Sequence, residues 1–110
     1  MDPGERLEAE RRRTTERLER LRRDHAGFIE ASRGSNADDE HDPEGATIAF
    51  ERSQVETLAR TLERHLADLD AAQARVDDGS YGTCVRCGEP IPEARLDARP
   101  AALTCVACAP

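Results

Sequence analysis

Residues 79–110 read GSYGTCVRCGEPIPEARLDARPAALTCVACAP and contain every cysteine of the chain. The cysteines form two C-x-x-C pairs with 17 residues between the pairs: Cys84 and Cys87, then Cys105 and Cys108. This spacing is typical of a four-thiolate zinc site, because each short turn presents two sulfurs and the intervening segment folds the pairs together. Gly88 follows the first pair, where a zinc knuckle needs a residue that tolerates positive φ. The pattern predicts one tetrahedral zinc site.

We expect this zinc to be structural. Four cysteines fill all four coordination positions, so none is left for water or substrate. The competing interpretation is a pair of disulfides or a redox switch. It is disfavoured because the first 13 residues lack the apolar region of an export signal, and thiols stay reduced in the cytoplasm. The sequence also offers no nucleophile paired with a base and no phosphate-binding glycine loop, so we expect a cytoplasmic protein that is not an enzyme.

The composition of the chain limits its fold and its partners. With 110 residues, 37% hydrophobic content and only three aromatic residues, it cannot fill a large globular core. An elongated or metal-stabilised architecture is expected instead. The formal net charge of −7 argues against duplex DNA as the main partner, because phosphate binding needs a basic surface. No stretch of apolar residues approaches the length needed to span a membrane.

Two proline-free segments, residues 5–32 and 46–78, have the seven-residue periodicity of coiled-coil helices. In the first segment the seam positions are Leu7, Thr14, Leu21 and Phe28, with Leu18 and His25 between them. In the second they are Ile48, Val55, Leu62, Leu69 and Val76, with Leu58, His65 and Ala72 between them. Both histidines are expected to lie in the seam rather than to bind metal, because the cysteines already complete one zinc site.

Residues 34–45 separate the two helices and are rich in turn formers and acids. Five acidic residues fall within 38–44, which predicts an acidic tip for the helical hairpin. The predicted fold class is therefore mostly α: a long antiparallel coiled-coil hairpin over residues 1–78, followed by a small four-cysteine zinc-finger module over 79–110. Because the hairpin closes within one chain, we expect a monomer.

This order of elements resembles the DksA/TraR family of bacterial RNA polymerase-binding transcription factors. The most specific similarity lies in GSYGTCVRCGEPI at 79–91, RLDARP at 95–100 and CVAC at 105–108. The resemblance implies one structural zinc ion held by the four cysteines. It also implies that the coiled coil enters the secondary channel of RNA polymerase and modulates initiation without reading DNA sequence.

The tip departs from the Asp-x-x-Asp-x-Ala motif of the family's coregulators. Counting back from Cys84 without a gap places His41, Glu44 and Ala46 at those positions. A register shifted by two residues aligns Asp39 and Asp42 but puts an acid at the alanine position. The resemblance implies a partner-binding tip, for which the candidate residues are Asp38, Asp39, Asp42, Glu44 and Ala46.

Some family members bind guanosine tetraphosphate through basic residues of the finger, the coil base and a helix beyond the finger. Arg95 and Arg99 match the basic residues of the finger, but the coil base at 66–70 is acidic. The chain stops two residues after Cys108, so it resembles a short form without the C-terminal helix. We expect no tight site for the nucleotide.

Two other function classes remain as alternatives. A zinc-stabilised coiled-coil adaptor would use its seam to recruit a helix of a different protein. A nucleic-acid-binding zinc ribbon would need a basic finger. Three arginines in residues 83–110 are balanced by three acids, which disfavours the ribbon: Arg86, Arg95 and Arg99 against Glu89, Glu93 and Asp97.

Overall fold

The computed structural model describes residues 2–35 and 43–110, with the side chains at 28, 31–35, 43 and 44 left out. Its elements are three α-helices and a short 3-10 helix: α1 Pro3–Ser35, α2 Pro43–Asp78, α3 Glu93–Ala98 and Val106–Cys108. The mostly α fold class is confirmed. No helix in the two described ranges is long and apolar enough to cross a membrane.

Both long helices extend further than the sequence predicts. The predicted turn at 34–45 is wrong at its two ends, because Gly34 and Ser35 belong to α1, and residues 43–45 belong to α2. Proline is tolerated in the first helical turn, where its missing N–H would have no partner. A helical glycine costs only about 1 kcal/mol, which a long cooperative helix can accommodate.

The chain forms two compact units: residues Met1–Arg13 with His65–Pro110, and residues Thr14–Arg64. In the first unit, Leu7 of α1 packs with Leu69 and Ala72 of α2 in a cluster of buried residues. All three stand at predicted seam positions. Beside the cluster, Glu10 and His65 approach to 3.2 Å, and Arg11 forms a 2.8 Å ion pair with Asp70. The predicted division of the chain at 78/79 stays a prediction based on motifs.

In the second unit the seam positions Thr14, Leu18 and Leu62 are buried, as the periodicity predicts. The expectation for Leu58 is wrong, because this side chain is 39% exposed. The half-buried Ala59 lies on the inner face instead. Leu58 and Ala59 lie three and four residues after the seam residue Val55. Residues at either spacing lie near the same helix face, so Ala59 can take the seam contact in place of Leu58.

Helix α2 ends in a glycine stop, as the sequence predicts. Gly79 has φ +83°, the left-handed conformation that favours glycine. The Ser80 N–H donates to the Arg75 carbonyl at 2.9 Å, and the Gly79 N–H donates to the Val76 carbonyl at 3.3 Å. These two bonds form a Schellman motif, which turns the chain directly into the cysteine-rich module.

Candidate metal centre

The first cysteine pair lies in a tight turn held by backbone hydrogen bonds. The Cys84 N–H donates to the Glu89 carbonyl at 2.8 Å, and the Gly88 N–H donates to the Cys84 carbonyl at 2.9 Å. An isolated β-bridge between Thr83 and Pro90 flanks the turn. Gly88 has φ +76°, so the predicted need for glycine after the first pair is confirmed.

The second pair lies in a single 3-10 turn, in which the Cys108 N–H donates to the Cys105 carbonyl at 3.1 Å. The two turns are joined by the Val85 N–H, which donates to the Leu103 carbonyl at 2.9 Å. Under the first turn, Cys84 packs in a buried cluster with Ile91 and Leu96. The backbone and a small apolar core therefore set the positions of the sulfurs.

The four cysteines are positioned to bind one metal ion. All four Sγ atoms lie within 4.8 Å of one another, and those of Cys87 and Cys105 are 3.9 Å apart. Tetrahedral zinc with bonds of about 2.3 Å places its sulfur ligands about 3.8 Å apart. A set of four thiolates with no open position suits structural zinc.

The environment of the cysteine cluster shifts the pKa values of two of its thiols in opposite directions. Hydrogen bonds from the backbone amides of Cys87 and Cys105 lower the pKa of Cys84 from 9.0 to about 6. The neighbouring sulfurs, Cys105 first, raise the pKa of Cys108 to about 12, because a second thiolate beside the first is repelled. A bound zinc ion would offset this repulsion, since its positive charge would allow all four groups to ionise together.

Several contacts that hold the module are not visible in the cysteine spacing. The Tyr81 hydroxyl donates to the Pro100 carbonyl at 2.7 Å, and its ring packs against both buried clusters of the first unit. Arg95 Nε donates to the Thr104 carbonyl at 2.7 Å, next to Cys105. Burial raises the pKa of Tyr81, so it remains a neutral hydrogen-bond donor.

Arg6 of α1 connects the start of the chain to α3. Its two terminal nitrogens reach Glu93 at 2.9 Å and Asp97 at 3.1 Å, while its own side chain is only 16% exposed. The bond to Glu93 raises the pKa of Arg6. Because 87 residues separate these partners, no local sequence signal indicates the contact.

The arginines considered for nucleotide binding line an open cleft of about 500 Å³ in the first unit. Arg95 and Arg99 share this cleft with Arg75, which the sequence interpretation did not include. Asp68 and Glu10 also line it, so the acidic coil base faces the same space. The absence of a tight nucleotide site stays a prediction.

The candidate tip residues are described only in part. Asp38, Asp39 and Asp42 lie outside the described residues. Glu44 belongs to the first turn of α2, and Ala46 is exposed on the same helix.

Fold and site together define a class of protein, a helical hairpin that carries a four-cysteine zinc module. Residues 79–110 match the family model of the prokaryotic dksA/traR C4-type zinc finger. The structure of transcription factor DksA2 from Pseudomonas aeruginosa is similar over 93% of this chain and 78% of that chain, with a TM-score of 0.59 and 28% identity. These similarities support the assignment of the chain to the DksA/TraR family.

Two curated relatives show the extent of the sequence similarity. The RNA polymerase-binding transcription factor DksA of Caulobacter vibrioides is 51% identical over 49 residues, which cover 44% of this chain and 34% of that protein. An uncharacterised protein of Aquifex aeolicus is 48% identical over 62 residues, which cover 56% of this chain and 43% of that protein. The matched segments thus span less than half the length of either relative.

Proposed function

We propose that this chain is a regulator of transcription that binds RNA polymerase, with the hairpin entering the secondary channel and modulating initiation. The observation that carries the proposal is the agreement of the cysteine-rich module with the dksA/traR zinc finger, on a chain whose fold is similar to DksA2 over 93% of its length. The proposal requires no catalysis by the chain and no direct recognition of DNA sequence. Its place of action is the cytoplasm, where RNA polymerase works.

In this proposal, the four cysteines hold one structural zinc ion. The residues that would bind it are Cys84, Cys87, Cys105 and Cys108, and this proposal is supported by their Sγ atoms lying within 4.8 Å of one another. Zinc would supply positive charge that keeps the four thiolates together and links the two turns. The chain's own contribution is a module fastened to α1 through Arg6 and to α2 through Tyr81.

The proposed action of the tip is electrostatic. Carboxylates at Asp39, Asp42 and Glu44 would approach the catalytic region of the polymerase and perturb its loops or its magnesium environment. Such a perturbation changes the lifetime of the open complex and hence the output of sensitive promoters.

Binding is tested with purified, zinc-loaded protein and RNA polymerase core enzyme, in the presence and absence of a known secondary-channel factor. We expect the protein to be retained by the polymerase and to be displaced by the competitor. No retention at micromolar concentration would mean that the partner is a different protein, as in a coiled-coil adaptor. Retention that the competitor does not affect would place the docking site outside the secondary channel.

The action of the tip is tested separately from binding, by replacing Asp39, Asp42 and Glu44 with alanine. We expect the variant to remain bound while its effect on promoter output is lost. The matched control replaces three exposed acids of α1 with alanine, which changes the net charge equally: Glu16, Glu19 and Asp24. An unchanged promoter output in the tip variant would contradict the electrostatic mechanism.

A further inference from the structure

Helix α2 carries an exposed face without charge, which we call the neutral face. At 3.6 residues per turn its members fall within an arc of about 140°. All of them are exposed, and they extend over sixteen residues of the helix: Ala46, Thr47, Phe50, Ser53, Gln54, Thr57, Leu58 and Thr61. Phe50 is 64% exposed and Leu58 is 39% exposed, although neither is required for the seam.

The neutral face stands out because most other exposed side chains of the second unit are charged. Between positions 16 and 24 of α1, every exposed residue is charged. On α2 between 46 and 61, the exposed charges are confined to Arg52, Glu56 and Arg60, which form one row at intervals of four residues. In a chain with 35% charged residues, this separation leaves one broad surface free of charge.

Two threonines of the neutral face use their hydroxyl protons inside the helix. Thr57 Oγ1 donates to the Ser53 carbonyl at 3.0 Å, and Thr61 Oγ1 donates to the Thr57 carbonyl at 3.1 Å. These donors therefore do not need a partner when another surface covers them. Together with Phe50 and Leu58, they lower the cost of desolvating this part of α2. Ser53 and Gln54 remain polar, so they favour a partner surface that offers uncharged hydrogen-bonding groups.

We infer that the neutral face docks against an uncharged surface of RNA polymerase. The inference rests on the proposed function. A charged partner surface is disfavoured, because its charges would lose water against the neutral face without meeting an opposite charge. The contact therefore contributes affinity through Phe50 and Leu58 rather than through ion pairs.

The size of the neutral face distinguishes this occupant from a second copy of the chain. Sixteen residues of helix are about 24 Å long, and a helix is about 10 Å wide, so the neutral face has a projected footprint of about 240 Å² and an accessible area of roughly twice that. A stable protein interface buries about 800 Å² on each partner. The neutral face is too small to hold a complex by itself, so its occupant must also contact the chain elsewhere, as a polymerase that receives the hairpin would.

The test compares polymerase binding by the wild type, Phe50→Ser, Leu58→Ser and Phe50→Glu. We expect about tenfold weaker binding for Phe50→Ser and a larger loss for Phe50→Glu, because an exposed aromatic anchor is lost or replaced by a charge. Ala67→Glu is the matched control, since it adds the same charge at an exposed α2 position outside the neutral face. This control should bind within about twofold of the wild type.

The salt dependence gives a second readout. The ratio between wild type and Phe50→Ser should stay constant between about 0.1 and 0.5 M salt, because an apolar contact is not screened. If the wild type binds while the Phe50 and Leu58 variants bind equally well, the inference is overturned and the proposed function stands. If the wild type itself does not bind, the proposed function fails, and the inference fails with it. Loss of self-association in Phe50→Ser would identify a second copy as the occupant and also overturn the inference.

Discussion

Cys84 and Cys108 hold the same thiol group in two different environments. Backbone amides stabilise the Cys84 thiolate and bring its pKa to about 6, whereas neighbouring sulfurs bring the pKa of Cys108 to about 12. At pH 7.5 without zinc, Cys84 is therefore a thiolate and Cys108 is a thiol. A zinc ion held by the four cysteines would bind them as thiolates, so its release would be coupled to proton uptake.

This coupling predicts how the proton count depends on pH. Removal of zinc by a chelator at pH 7.5 should take up fewer than four protons per zinc, because Cys84 stays ionised. As the pH falls through 6, Cys84 also becomes protonated, and the count should rise. Calorimetry in buffers of different ionisation enthalpy, corrected for the chelator alone, measures this number. A count that is constant between pH 7.5 and 5.5 would be inconsistent with a low pKa at Cys84.

Arg6 contributes to stability because of where its side chain lies. Its side chain is mostly covered while both of its partners on α3 are exposed, at 73% for Glu93 and 63% for Asp97. We expect Arg6→Gln to lower the free energy of unfolding by about 1 kcal/mol, because one charge-assisted hydrogen bond, one further ion-pair contact and the packing of the side chain are lost. Urea denaturation measures the change.

Arg11→Gln is the control for Arg6. It breaks one ion pair, with Asp70, in which both side chains are more than half exposed, at 51% and 59%. Exposed pairs of this kind contribute little to stability, so Arg11→Gln should lower the free energy of unfolding less than Arg6→Gln does. Equal losses for the two variants would show that the double contact of Arg6 adds nothing.

The two long helices contain glycine in different backbone conformations: Gly79 ends α2, whereas Gly27 lies inside α1. Gly79 ends α2 at φ +83°, and a Cβ there would meet nothing within 4 Å. Gly27 lies within α1, and a Cβ there would also meet nothing within 4 Å. The same substitution to alanine therefore differs only in its backbone cost.

We expect opposite signs for the two alanine variants. Gly79→Ala should lower the free energy of unfolding by about 1 kcal/mol, because alanine is strained in the left-handed conformation. Gly27→Ala should raise it by about 1 kcal/mol, because alanine favours a helix interior. Urea denaturation of both variants tests the pair, and a stabilised Gly79→Ala would contradict the Schellman ending of α2.

The helices show what periodicity can and cannot predict. Seven-residue spacing identified Leu7, Leu69 and Ala72 as core positions because a buried face must recur at the helical period. It did not predict that Leu58 is exposed, since a seam can continue from Val55 either to the residue three positions later or to the residue four positions later. The heptad pattern also carries no signal for the neutral face, because its exposed residues lie outside the seam.

At the metal centre, too, local features can be predicted from sequence, whereas contacts between distant segments cannot. The spacing of the cysteines and the glycine at position 88 predicted the cluster because they act within single turns. The contacts of Arg6, Tyr81 and Arg95 depend on which distant segments the fold brings together. A single sequence carries no local signal for such pairs.

At the scale of the whole molecule, net charge and surface pattern together bear on self-association. The formal net charge of −7 makes two copies repel each other at low salt. The neutral face is the uncharged exception on α2, and with a projected footprint of about 240 Å² it falls well short of the area of a stable interface. Neither feature favours a homodimer.

We therefore expect the zinc-loaded protein to sediment as one chain of 12.1 kDa. The measurement is made at both about 0.1 and 0.5 M salt. At the higher concentration salt screens the repulsion between two copies, so any self-association through the neutral face is no longer opposed by net charge. Phe50→Ser is the control, and it should give the same mass as the wild type under both conditions. A dimer that forms at high salt and disappears in Phe50→Ser would show that apolar contact alone can join two copies. The area argument would then be wrong, and the coiled-coil adaptor would gain support over a monomeric partner of RNA polymerase.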